Sequence, residues 1–266
     1  MKKLIYILPL SIVFLNSCGD EKPAASTTAE LVVEKADTSA KQSEEVIESN
    51  PELESLSKKF SVAELPYTLD DKKLDKIEGG KELTGKDIKL LTQAILKNGL
   101  FDGLDYDLKE FFVIDSIKAK GSYEEWAEGL DLGQIKQSKA YSLSQIKTGE
   151  NSSVLFWILE YSTVEACPYS WAKKVLATAI NKNKIGETIV FSEHSGGADA
   201  PVSFDRIIKG SLSQENKMTL ALREELDEDE PKLELTEGNY ELLLSEGKYV
   251  FTKEEKKEPR KVSKKK

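Results

Sequence analysis

From residue 139 onward, apolar and polar residues alternate with the period of two that is typical of β-strands. β-branched, aromatic and Leu residues are concentrated in eight runs, which span 140–147, 153–163, 171–181, 184–194, 202–212, 217–226, 233–244 and 248–253. Several of these runs are separated by only a few turn-forming residues. Because short connections join antiparallel neighbours, the pattern predicts an up-and-down meander of seven to eight strands.

The strand predicted at 153–163 is apolar on both faces, because Val154–Leu159 contains no polar residue. One side of the sheet must therefore be covered there, and helices from the N-terminal part are the natural cover. Strands such as 217–226 alternate more cleanly, so much of the second face is expected to contact water. The sequence thus predicts an α+β fold, mainly antiparallel β, with one face covered by a small N-terminal helical segment.

The segment 58–138, before the meander at 139–252, is expected to be an α+β N-terminal part. Thr84 and Asp87 have the spacing of a capping box for a helix predicted over 85–98. Its apolar residues recur on one face, at Ile88, Leu91, Ile95 and Leu96. A second capping pattern predicts a short helix at 123–128.

The N-terminus has the organisation of a signal peptide. Two lysines precede an apolar stretch, Leu4–Leu15, that is too short to span a bilayer but suits a signal-peptide core. The stretch ends in Leu15-Asn16-Ser17-Cys18, which resembles the lipobox of bacterial lipoproteins. The resemblance implies that residues 1–17 are removed and that Cys18 carries the lipid, including palmitate. An ordinary secretory signal followed by a chance cysteine is the alternative.

The residue after the cysteine bears on the destination within the cell envelope. In lipoproteins of this kind an Asp there often retains the protein at the inner membrane, whereas this chain has Gly19. The resemblance therefore implies outer-membrane delivery, with a periplasmic and a surface orientation both open.

Two charged segments flank the predicted domain. Residues 18–57 lack aromatic residues, and three Lys against ten acidic residues in 19–57 predict a disordered tether in which a short helix around 43–58 needs no packing partner. The tail at 253–266 carries eight positive and three negative charges. We expect a solvated basic end, with docking onto anionic lipid or glycan phosphate as the alternative.

The predicted mature chain also resembles envelope lipoproteins that pair an N-terminal "F…LP" segment with a β-meander. The matching residues are Phe60, Leu65-Pro66-Tyr67-Thr68-Leu69, Ala140-Tyr141-Ser142-Leu143 and Asn181-Lys182-Asn183-Lys184. Those proteins have no agreed activity. The resemblance implies a fold and a location, and nothing about chemistry.

Composition excludes several classes of site. A single histidine excludes zinc sites built on two or three imidazoles, and two cysteines exclude iron–sulfur clusters and a disulfide scaffold. Three arginines and a net charge of −9 argue against nucleic acid as a partner. We therefore expect no metal and no cofactor, with the membrane as one partner, through the lipid, and an unknown envelope protein or glycan as another.

Three catalytic-looking motifs fit structural roles better. Gly80-x4-Gly85-Lys86 matches a phosphate-binding loop until Asp87 replaces the required Ser or Thr. Lys147-Thr148-Gly149 occurs in penicillin-binding enzymes, but here it lies in a predicted hairpin turn without the other motifs. The acid-rich segment 102–110 lacks the spacing of a calcium loop.

Cys167 and His194 are the one possible thiol–imidazole pair if Cys18 is lipidated. We expect Cys167 to be buried as a small hydrophobe and His194 to end a strand before a glycine turn. The main hypothesis is a lipid-anchored envelope protein with a non-enzymatic binding or structural role, because one imidazole does not supply a complete catalytic set. The alternative is an envelope hydrolase or thiol enzyme that uses the Cys167 and His194 loops.

The meander order predicts where a ligand or partner would bind. Successive connections alternate between the two ends of the sheet, so the longer connections at 164–170, 195–201 and 227–232 share one end. Binding groups concentrate on loops that a rigid scaffold holds. The predicted binding rim comprises Cys167, Tyr169, His194, Ser195, Asp199, Asp227 and Asp229. Two strand spacings are expected to separate the Cys167 loop from the His194 loop.

Overall fold

The computed structural model describes residues 49–101, 103–105, 107–109, 111–112, 135–164 and 169–264. The predicted signal peptide, Cys18, most of the predicted tether, the predicted helix at 123–128 and Cys167 lie outside the described residues. None of the helices in the described ranges is long and apolar enough to span a membrane.

The predicted antiparallel meander is confirmed. Its eight long strands are β4 (Ile135–Lys147), β5 (Ser152–Val164), β6 (Tyr169–Asn181), β7 (Lys184–Asp199), β8 (Val202–Leu212), β9 (Lys217–Asp227), β10 (Lys232–Ser245) and β11 (Lys248–Lys256). Each pairs antiparallel with its neighbours in sequence order. Four tight connections lie at one end of this sheet, which we call the turn end, and the connections after β5, β7 and β9 lie at the other end, the rim.

Short elements from outside the meander extend the sheet. They are β1 (Ser61–Ala63), which pairs with β4, β2 (Tyr67–Leu69), which pairs with β8, β3 (Ala94–Ile95), which pairs with β7, and β12 (Arg260–Ser263), which pairs with β10. The helices are α1 (Pro51–Ser57), α2 (Asp71–Lys76) and α3 (Gly85–Leu91). Helical conformation is also present between residues 104 and 112, where Leu104, Leu108 and Phe111 are buried.

The helix predicted at 85–98 is correct at its start and too long at its end. The capping box forms, because the Thr84 backbone N–H donates to Asp87 Oδ2 (2.7 Å) and the Asp87 backbone N–H donates to Thr84 Oγ1 (3.3 Å). At the other end, the Leu91 carbonyl accepts the Thr188 hydroxyl of β7 (2.6 Å). The chain then pairs with β7 as β3. Hydrogen bonds to β7 therefore end the helix, although the apolar periodicity of the sequence continues to Leu96.

The sheet is strongly curled. β7 and β8 pair only from Glu193–Asp199 to Val202–Ile208, and beyond that stretch β7 pairs with β3 while β8 pairs with β2. The tip of the β10–β11 hairpin returns onto β7, where the Glu187 backbone N–H donates to the Gly247 carbonyl (2.8 Å). Strands that are four apart in the sheet therefore touch at the turn end.

The core lies against the central strands, as predicted from their composition. Every residue from Val154 to Leu159 is at most 1% exposed, so β5 is covered on both faces. On one of these faces Tyr67 of β2 packs on Phe156, with ring centroids 4.6 Å apart. On β9 the predicted alternation holds, since Met218 and Leu220 are buried and Thr219 is exposed.

Three sequence-based boundaries are wrong. The folded part begins before residue 58, because Leu53 and Leu56 of α1 are buried in the core. The predicted solvated tail from 253 onward instead completes β11 and forms β12, because the edge of β10 offers backbone partners and acidic side chains. The predicted connection at 195–201 is a two-residue turn, since β7 continues to Asp199 by pairing with β8.

Candidate functional site

His194 lies within β7, not at its end as predicted, and both of its ring nitrogens face carboxylates. Nδ1 is 3.0 Å from Asp75 Oδ1 on α2, and Nε2 is 3.3 Å from Asp205 Oδ1 on β8. The ring also packs edge-on against Trp171 of β6, with centroids 4.7 Å apart. The imidazole therefore joins α2 to two strands of the sheet, and among the described residues its ring nitrogens face carboxylates.

The same geometry bears on metal binding. Asp75 and Asp205 approach opposite nitrogens of the ring, so the three donor groups do not converge on one point. Within the ranges that the structure describes, no group of three His, Cys, Asp or Glu side chains is placed to hold a metal ion.

Ser195 faces the opposite side of β7 from His194 and belongs to a buried ionic network. Its hydroxyl donates to Glu193 Oε1 (2.6 Å). Glu193 also lies 3.5 Å from Lys174 Nζ and 3.5 Å from Arg206 Nε. Lys174 further contacts Asp107 (2.6 Å). This cluster attaches the helical residues after 103 to the sheet.

Charge balance holds the network together. Burial by itself lowers the pKa of Lys174, but the carboxylates of Glu193 and Asp107 more than offset burial, so the pKa of Lys174 is raised. The ammonium group is thus kept charged inside the protein. Ser195 is 5% exposed and engaged by Glu193, which leaves it unsuited to binding a ligand at the rim.

The acidic part of the predicted rim is occupied by the C-terminal tail. Asp227 Oδ1 contacts Lys264 Nζ (2.8 Å), and this hydrogen bond lowers the pKa of Asp227. Asp229 lies in the exposed turn after β9 with a positive φ of 61°. Asp199 is the last residue of β7. These carboxylates share the rim, as predicted, but they do not converge with His194 on one site.

Tyr169 and Cys167 are the remaining residues of the predicted rim, and the structure describes only the first of them. Tyr169 begins β6, and its backbone pairs with Ala198 of β7, whereas Lys173, four positions further along β6, pairs with His194. At a rise of about 3.3 Å per residue, the Tyr169 and His194 levels are about 13 Å apart. His194 lies on β7, the strand adjacent to β6. The expected separation of its loop from the Cys167 loop concerns residues outside the described ranges and stays a prediction. Cys167 lies outside the described residues.

A cleft lies at the turn end, opposite the predicted rim. It has a volume of about 630 Å³ and is bounded by α1 and by the connections that follow β4 and β6. Leu53, Ser153 and Ile180 are buried lining residues. Polar and charged side chains form the rest of the lining, including Ser57, Lys58, Gln145, Lys147, Asn151, Lys182 and Asn183. We call this the turn-end cleft.

Helix α1 creates one wall of the turn-end cleft, and local sequence accounts for its position. The Asn50 side chain accepts the Leu53 backbone N–H (3.1 Å) as an N-cap, and Pro51 is the first helical residue. The Asn50 amide also donates to the Asn183 carbonyl in the β6–β7 turn (3.4 Å). The pair Asn50-Pro51 is typical of a helix start and could have predicted this wall from the sequence. The acidic composition of residues 19–57 favours a disordered tether instead and does not indicate the helix.

A second depression adjoins the turn-end cleft and shares Ser152, Ile180 and Lys182 with it. It has a volume of about 320 Å³ and reaches the β10–β11 turn. Asn216 donates to the Thr148 carbonyl (2.9 Å) between two of the tight turns. Residues from all four tight turns therefore line these two adjoining depressions.

The charged groups around the turn-end cleft are exposed, and its buried lining residues are uncharged. Glu54, Lys58, Lys147 and Glu150 are all exposed to solvent. A cleft lined by hydroxyl, amide and exposed charged groups is suited to binding by hydrogen bonds and charge.

Comparisons with known proteins gave no match, whether with protein-family models, with curated proteins or with solved structures.

Proposed function

We propose that this chain is a lipid-anchored protein of the bacterial envelope, delivered to the outer membrane, with a non-enzymatic binding role. The anchor is Cys18, because the signal-peptide pattern ends at that residue. The domain binds its ligand in the turn-end cleft. The observation that carries the binding role is the cleft itself, whose buried lining residues are uncharged and whose margin is polar.

The chemistry of the cleft favours a polar ligand. Hydroxyl, amide and ammonium groups surround it, while Leu53 and Ile180 supply a small apolar floor. Such a lining can satisfy the hydroxyl and carboxylate groups of an envelope glycan or of a polar protein segment.

The position of His194 supports this role over the thiol-enzyme alternative. Its two nitrogens are engaged by Asp75 and Asp205 on separate elements. An imidazole that acts as general base must have one nitrogen within hydrogen-bond reach of the group it deprotonates. We therefore expect Cys167→Ser and His194→Ala to leave ligand binding intact.

The anchor is tested by labelling cells with a palmitate analogue. The wild-type chain should incorporate the label and a Cys18→Ala variant should not. Equal labelling of the two chains would exclude acylation at Cys18.

The ligand site is tested by filling the cleft. Ser57→Trp adds a large ring to the α1 wall, and Thr219→Trp adds the same ring at an exposed position on β9 outside the cleft. Mature chains are screened by thermal shift against purified peptidoglycan fragments, envelope polysaccharide and phospholipid vesicles. A component that stabilises the wild type and Thr219→Trp but not Ser57→Trp supports the site. A component that stabilises all three chains equally, or no stabilising component at all, counts against it.

A further inference from the structure

The outer edge of β10 is covered by two separate strands. β11 pairs with Gly238–Ser245, and β12 pairs with Lys232–Leu235 over four positions. Between them the Lys257 backbone N–H donates to the Glu237 carbonyl (2.9 Å). Without the last residues of the chain, the first third of β10 would be an open sheet edge that can pair with another strand.

Charge complementarity accompanies this pairing. Five ion pairs join the tail to the edge: Lys257 (3.3 Å) and Arg260 (2.9 Å) with Glu237, Lys261 with Glu228 (3.9 Å) and Glu230 (3.0 Å), and Lys264 with Asp227 (2.8 Å). Positive side chains of an extended segment thus follow a row of carboxylates along one edge.

The tail is nevertheless held by contacts that are easily exchanged. Arg260, Lys261 and Ser263 are exposed, and Val262 is only half-buried. Ion pairs between solvent-exposed side chains contribute little to stability and weaken with salt. The four-position backbone ladder is therefore the main attachment, and another strand of the same character can replace it.

We propose that Asp227–Glu230 together with Lys232–Glu237 is a docking site for an extended basic peptide segment of a partner protein. We call it the tail site, because the chain's own C-terminal strand occupies it in the absence of a partner. The partner segment adds to β10 as an antiparallel strand, and backbone hydrogen bonds provide affinity while lysine or arginine side chains provide selectivity. The tail site is at the rim and is thus separate from the turn-end cleft.

The test uses the full-length mature chain and a tail-reversed variant that combines Arg260→Glu, Lys261→Glu and Lys264→Glu. The probe is a fluorescent peptide with the sequence of residues 257–266, and the control is a scrambled peptide of the same composition and charge. Anisotropy titrations should show at least tenfold tighter binding of the probe to the tail-reversed variant than to the wild type. The scrambled peptide should bind the variant at least tenfold more weakly than the probe.

Circular dichroism and thermal unfolding establish that the variant retains the sheet, and a chain ending at Lys256 replaces it if it does not. Hydrogen exchange at residues 232–237 should be faster in the variant than in the wild type and should slow again when the probe is added. Equal binding of the two peptides, equal binding of the probe to both proteins, or no binding at all would overturn the proposal.

Discussion

Gly186 lies where the curled sheet touches itself. A Cβ atom at this position would be 2.0 Å from the carbonyl oxygen of Gly247 at the β10–β11 tip. We expect Gly186→Ala to reduce the free energy of unfolding by about 3 kcal/mol, because backbone has to move to relieve the overlap. Urea denaturation measures the loss.

Gly149→Ala is the matched control. The nearest atom to a Cβ there is the Ser152 hydroxyl oxygen at 2.6 Å, which a side-chain rotation can move away. Its effect should stay within about 0.5 kcal/mol. If both substitutions cost the same, the close approach of β7 to the hairpin tip is incorrect.

Lys174 is the buried cation on which the ionic network depends. Replacing it with Met leaves the carboxylates of Glu193 and Asp107 buried without their main counter-charge. We expect Lys174→Met to reduce the free energy of unfolding by about 3–5 kcal/mol. Lys86→Met removes an exposed pair with Glu52 and should leave the unfolding midpoint unchanged.

The difference in stability between the wild type and Lys174→Met depends on pH, because the pKa of Lys174 is raised in the folded state. A cation with a raised folded-state pKa stabilises fully below its unfolded-state pKa, about 10.4 for lysine. That contribution is lost as pH rises through the higher folded-state pKa. The stability gap between wild type and Lys174→Met should therefore be constant from neutral pH to about pH 10 and shrink only in more alkaline solution. A gap that closes nearer to neutrality would contradict a charged Lys174.

At the scale of elements, α1 decides whether residues 50–57 belong to the folded domain or to the tether. Leu56 is 2% exposed, and its neighbour Ser55 is exposed. We expect Leu56→Ala to cost about 2–5 kcal/mol, because it leaves a cavity in the core. Chemical denaturation checks this, with Ser55→Ala as the control that should have no effect. Equal losses in the free energy of unfolding for Leu56→Ala and Ser55→Ala would show that α1 is part of the tether and not of the core.

Elements with strong local signals were predictable from sequence. The alternation and the turn residues located all eight long strands to within five residues at each end, and Thr84 with Asp87 located the start of α3. The predictions failed where distant contacts decide the conformation. The Leu91 carbonyl is taken by Thr188, and the basic tail gains carboxylate partners from a turn that lies some thirty residues earlier in the chain.

At the scale of the molecule, the curl of the sheet was not predictable. Nothing in the period-two pattern indicates that β8 changes partners from β7 to β2, because the pattern assigns residues to a face of the strand and not to a neighbouring strand. The turn-end cleft was not predictable either, because one of its walls is α1, which lies within the predicted tether. The sequence instead predicts a binding site at the connections after β5, β7 and β9, because binding residues are common on loops held by a rigid scaffold.

The central claim is that the turn-end cleft, and not the surroundings of His194, binds the ligand. Hydrogen–deuterium exchange of the mature protein with and without detergent-solubilised envelope extract tests it directly. The account predicts slower exchange in three segments, 54–58, 147–153 and 181–183, with no change around His194. Slower exchange confined to 169–174 and 193–199, or no change anywhere, would contradict it.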